Sequence, residues 1–120
     1  MDVLLILIDW FPYLLSGIAT TLGLVLSGLA LGLLLGLPMA VGQVYGSRPL
    51  RWLIGIYVWF FRGLPILVLL FLFWFGIFPL LGLGDLSAFV VGGVVLGLRG
   101  AAYQSQIFRG AIQSIGEGQM

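Results

Sequence analysis

Arg99, Tyr103 and Gln106 are the residues best placed for chemistry. On a helix turning 100° per residue they fall, with Gly110 and Gln113, within about 100° of arc, so a helix through them presents one polar face. They lie in Gly97–Met120, GLRGAAYQSQIFRGAIQSIGEGQM, where an otherwise apolar chain turns polar. A guanidinium among apolar residues is costly unless it faces protein or a water-filled path. Such a face can line a route for a polar solute or meet a partner subunit. It can equally be structural, with Arg99 bonding a carbonyl or an acid on a neighbouring element.

Covalent and metal chemistry have little to draw on. The chain has no Cys, His or Lys. That removes thiol catalysis, Cys or His metal sites, His acid–base chemistry and the lysine of a Walker A phosphate loop. The acids Asp2, Asp9, Asp85 and Glu117 are scattered, and no spacing pairs two carboxylates for hydrolysis. Five dispersed arginines form no basic patch, so nucleic acid is not an expected partner.

The elements that must position the polar face are membrane spans. Of 120 residues 62% are hydrophobic and 8% charged, and mean hydropathy is +1.24. Soluble domains carry about 25% charged residues, so this is the composition of an integral membrane protein. The N-terminus, MDVLLILIDWFPYLL, lacks the basic flank and small-residue cleavage site of a signal peptide and reads as retained. Residues 13–44 can form one span, its excess length absorbed by tilt or by an interfacial turn near Trp10, Phe11 and Pro12. Gly28, Gly32 and Gly36 recur every four residues along it and allow close approach of another helix. Residues 45–51 read as a cytoplasmic loop, because Arg48 and Arg51 obey the positive-inside rule. The N-terminus is then outside.

A second apolar block, 52–81, is interrupted at Arg62, Gly63 and Pro65. It is either one kinked helix or an interfacial elbow followed by a new span over 64–81. The elbow is favoured because it keeps Arg62 near the cytoplasmic face. Residues 82–87 read as an external loop, with Ser87 capping the next helix. The third span covers 88–109, with Gly93 and Gly97 again four apart, and 110–120 reads as a cytoplasmic loop.

Three segments resemble the permease subunits of ATP-binding-cassette importers for polar amino acids. They are Gly17 with Thr21-Leu22, the segment Phe60-Phe61-Arg62-Gly63-Leu64-Pro65, and above all AAYQSQIFRGAIQSIGEGQ from Ala101 to Gln119. Gln106 stands where many members of that family carry an acid. The resemblance implies an all-α integral membrane fold of three transmembrane helices, like the N-terminal part of a type I importer transmembrane domain. It implies a multi-pass location in the cytoplasmic (inner) membrane of a prokaryote and a chain that stops short of the E-A-A coupling motif. Implied partners are a second permease subunit, a cytoplasmic ATPase dimer, an extracytoplasmic solute-binding protein, the amino-acid substrate and membrane lipid. Glu117, Gly118 and Gln119 would border the ATPase-coupling motif. No cofactor is implied for this chain, ATP being used by the partner ATPase. A structural membrane subunit that assembles a complex without forming a path is the alternative, since the glycine stripes mean packing in either case.

Overall fold

The structure, a computed structural model, describes residues 2–115. Every regular element among them is helical. Glu117, Gly118 and Gln119 lie outside the described residues.

Helix α1 runs from Val3 to Tyr45. Its 43 residues account for most of the longest molecular dimension, 67 Å. Of the two ways to accommodate its length, the turn near Pro12 does not form, and the helix continues through both Pro12 and Pro38. Proline removes one backbone donor and crowds the carbonyl four residues back, yet its φ is helical, so a long apolar helix absorbs it. The hydroxyls of Ser16, Thr20 and Thr21 donate back to the carbonyls of Tyr13, Ser16 and Gly17 at 2.8, 3.1 and 2.8 Å. Those bonds satisfy the hydroxyls without any partner helix.

The expected loop over 45–51 is much shorter. Only Gly46 and Ser47 separate α1 from α2, Arg48–Gly63, and Arg48, Pro49 and Arg51 belong to that helix. Pro49 sits in the first turn, where its missing donor costs nothing. At the other end Arg62 lies in the last turn, and Leu64 is extended at φ −102°, ψ 140°, as a residue before proline must be. The chain then turns by 107° into a second rod, Ile66–Leu80. This rod comprises α3 (Ile66–Phe71), a π-helical stretch (Leu72–Ile77) and α4 (Phe78–Leu80). It ends in a Schellman motif. Leu83 N–H donates to the Phe78 carbonyl at 2.7 Å and Gly82 N–H to that of Pro79 at 3.1 Å. Gly82 takes the left-handed φ of +80° that this cap requires.

Helix α5, Ala88–Ile115, starts where the Ser87 hydroxyl accepts the Val90 N–H at 3.2 Å. It outlasts the expected 88–109, since residues 110–115 continue the helix rather than opening a loop. No proline stops it, and Ala111, Ile112 and Gln113 tolerate helix well.

Helices α1 and α5 are parallel. Successive neighbours run in the same direction along both: Gly23 by Phe89, Ser27 by Gly93, Gly28 by Leu96, Gly36 by Ser105 and Gln43 by Gln106. The segment 46–87 therefore carries the chain back from one end of the pair to the other. Its core is shared by three elements: Ile54, Val58 and Phe61 of α2, Leu69, Phe73 and Phe78 of the rod, and Val91, Val95 and Ala102 of α5. Phe61 packs on Phe73 with centroids 6.0 Å apart and fastens the elbow to the rod, while Phe78 meets Phe73 edge-on at 5.7 Å within the rod.

On length and apolarity alone, one helix, α1, can cross a membrane, and the bent pair Arg48–Gly63 with Ile66–Leu80 meets the same criterion jointly. The third expected span, α5, is not in that set, because its inner half carries Arg99, Tyr103, Gln104 and Gln106.

Candidate functional site

The polar residues of α5 divide into two groups rather than one continuous face. In the first, Arg99 Nη2 donates to Tyr103 Oη at 3.2 Å, one turn along. The Arg99 guanidinium carbon is 4.8 Å from the Tyr103 ring centroid, and that of Arg62 is 5.3 Å from the same ring. Tyr103 thus holds two cations by their attraction to its π-face. The bend at Gly63–Pro65 brings Arg62, at the end of α2, to a residue forty positions later. Between Asp9 and Glu117 the only acid is Asp85, so the sequence near these cations supplies no counter-charge. Arg99 Nε is shielded from solvent and has no partner among the described residues. Among the described residues the Arg99 guanidinium bonds a phenol rather than the carbonyl or acid considered as a structural role.

In the second group Gln106 Nε2 donates to Gln43 Oε1 at 2.7 Å and to Ser105 Oγ at 3.1 Å. Arg109 Nη1 reaches Gln106 Oε1 at 3.4 Å, and Arg109 Nε is likewise shielded and unpartnered among the described residues. Ser105, fully buried, donates to the Ala102 carbonyl at 2.8 Å. This group ties the ends of α1 and α5 together. Of the other two residues assigned to the same face, Gly110 and Gln113 are exposed.

Both groups rest on the α1–α5 seam. Gly28, Gly32, Gly36, Gly93 and Gly97 are all buried there, but they are not equivalent. A Cβ added at Gly93 would sit 3.7 Å from Ser27 Cβ and one at Gly28 3.4 Å from Leu96 Cβ, both ordinary contacts. At Gly36 the nearest atoms are the Ala101 carbonyl oxygen and Gln104 Cβ, each at 3.2 Å. At Gly32 a Cβ would meet the Gln104 amide nitrogen at 2.5 Å. At Gly97 it would meet Leu31 Cβ at 2.7 Å and Cγ at 2.8 Å. Leu31 is a knob seated over Gly97, and Gln104 lies over Gly32.

Sequence reasoning missed Gln43, Tyr57, Gln104 and Ser105. Gln43 carried a signal, being the only amide side chain in 43 residues of α1. Tyr57 donates its hydroxyl to the Leu98 carbonyl at 2.6 Å and joins α2 to α5. Nothing local in the sequence distinguishes it from Trp52 or Trp59.

A search of protein-family models gave no match. Individual proteins do match. The chain is 36% identical over 112 residues to the arginine transport system permease protein ArtQ of Bacillus subtilis, covering 93% of this chain and 51% of ArtQ. It is 37% identical over 115 residues to the probable glutamine ABC transporter permease protein GlnM of the same organism, covering 96% of this chain and 52% of GlnM. It is 35% identical over 116 residues to the histidine/lysine/arginine/ornithine permease HisM of Salmonella typhimurium, covering 90% and 49%. Among solved structures, a crystal structure of an amino acid ABC transporter with histidines superposes with a TM-score of 0.85 at 30% identity, covering 99% of this chain and 55% of that one. The chain is thus a homologue of the permease proteins of amino-acid ABC transporters, and it spans about half the length of the curated relatives it matches.

Proposed function

We propose that this chain forms part of the permease subunit of an ATP-driven amino-acid uptake system, with the polar face of α5 bordering the solute path. The observation that carries the reading is the Arg62–Tyr103–Arg99 cluster on a scaffold homologous to amino-acid permeases. Two guanidiniums without a nearby acid favour an anionic group, and every amino acid brings a carboxylate. In this reading the chain crosses the membrane three times. Helix α1 runs inward from an external N-terminus, the bent pair returns, and α5 runs inward again. The parallel course of α1 and α5 supports that count. Arg48, Arg51, Arg62 and Arg109 then lie at the cytoplasmic side, as the positive-inside rule asks. The chain pairs with a second permease subunit, receives solute from an extracytoplasmic binding protein, and responds to a cytoplasmic ATPase dimer. Glu117, Gly118 and Gln119 border the ATPase contact. The chain itself carries out no catalysis.

The assembly reading draws on a different observation: residues 3–22 of α1 are exposed throughout, an apolar rod awaiting other protein or lipid. One experiment separates the two. In the complete permease reconstituted with its partners, Arg99→Gln should cut solute uptake about tenfold, the worth of one charged hydrogen bond, while complex recovery and basal ATP hydrolysis hold. Unchanged uptake by a fully assembled variant would rule out the path assignment.

A further inference from the structure

Helix α2 carries a second cationic feature that the path does not use. At about 100° per residue, Arg48, Arg51, Trp52, Gly55 and Trp59 share roughly one quadrant of the helix, centred about 110° from that of Ile54, Val58 and Phe61, which enter the core. Arg51, Trp52, Gly55, Ile56 and Trp59 line a groove of ≈290 Å³. Its floor is Gly55, with nothing within 4 Å of where a Cβ would stand. Its walls are Trp52 and Trp59, 69% and 76% exposed, which no other element covers. Arg48 and Arg51 are also exposed, and no acidic residue occurs between Asp9 and Asp85 to neutralise them.

We propose that this face of α2 holds the headgroup of an anionic phospholipid. The phosphate sits on Arg51 with Arg48 alongside, and the glycerol and first acyl carbons lie over Gly55 between the two indoles. The occupant must present an anion and apolar carbons within a few ångströms of each other. A headgroup at the membrane boundary does so, whereas free phosphate would leave the tryptophan walls unused. Tryptophan and arginine both favour the headgroup layer, the first through its amphipathic ring and the second through attraction to anionic lipid. The site rests on the membrane reading above, but not on the solute path.

The test uses the purified chain reconstituted in nanodiscs that mix phosphatidylglycerol with phosphatidylcholine, then released for native mass spectrometry. Retained lipid should be enriched in phosphatidylglycerol. Arg51→Gln should lower that enrichment about fivefold, the effect of one basic residue near an anionic surface. Gly55→Leu, which keeps all charge and whose Cβ has no neighbour within 4 Å, should lower it comparably by filling the groove. Full enrichment in Gly55→Leu would overturn the site in favour of diffuse attraction. Enrichment indifferent to Arg51→Gln would overturn it too, and would point to a polypeptide as the occupant of this face. Release of the chain from membranes by alkaline wash would overturn the membrane reading and the site with it. A chain that stays inserted yet shows no lipid preference would overturn the site alone.

Discussion

Gly93 and Gly97 have the same spacing, lie on the same helix and are both buried, yet alanine should affect them differently. At Gly97 the new Cβ would stand 2.7 Å from Leu31 Cβ, an atom fixed to the α1 backbone that cannot swing aside. Ordinary carbon contacts are about 3.5–4.0 Å, so α1 must retreat locally by about 1 Å. The close approach of α1 to α5 at Gly28 and Gly36 would open with it. A gap of that size forfeits about a quarter to a half of each attraction. At Gly93 the new Cβ makes a 3.7 Å contact with Ser27 Cβ, and nothing needs to move. Both substitutions gain the same helix propensity, about 0.8–1 kcal/mol, which cancels in the comparison. The packing difference remains, at about 1–3 kcal/mol against Gly97→Ala. Far-UV dichroism would miss it, because separated membrane helices stay helical. Förster transfer between dyes on cysteines placed at the exposed Leu26 and Ile107, followed through an SDS titration, reports separation of α1 from α5. The cysteine-free sequence makes the labelling unambiguous. Equal midpoints for the two variants, or the reverse order, would refute the seam as described.

The same seam fixes a cross-link. Ser27→Cys with Gly93→Cys would place the Gly93 Cβ 3.7 Å from that of residue 27, inside the disulfide range of about 3.5–4.5 Å, so mild oxidation should join them. Leu26→Cys with Gly93→Cys should stay reduced, and joining both pairs equally would contradict the parallel register. Tyr57→Phe should lower the SDS midpoint by about 1 kcal/mol through loss of the bond to the Leu98 carbonyl. An unchanged midpoint would mean that this bond contributes nothing to docking α2. A double-mutant cycle with Gln43→Leu and Gln106→Leu should return a coupling of about 0.6 kcal/mol, the average for side-chain hydrogen bonds between membrane helices. Strict additivity would mean that the two amides do not interact.

Much of the chain's organisation was legible because it follows from local chemistry. Ser87 as a cap, the break before Pro65 and the polar turn of the chain after Gly97 each depend on a residue and its immediate neighbours. Boundaries were less legible. The turn considered at Pro12 and the loops expected at 48–51 and 110–115 are helix. A lone proline or a few polar residues do not end a helix that nothing else opposes. The division of Arg99, Tyr103 and Gln106 into two groups was invisible to periodicity, which gives direction around a helix but not the neighbour met there.

The sequence alone determined that the chain is apolar, helical and built for close helix contact. Its last stretch also pointed to the amino-acid permeases. Tertiary structure decided which glycine receives Leu31, that Arg62 and Arg99 share Tyr103, and that Tyr57 ties the elbow to α5. Those facts depend on residues tens of positions apart being brought together by a 107° bend and a parallel seam. Local pattern sets what each helix offers, and only packing sets which offer is taken up.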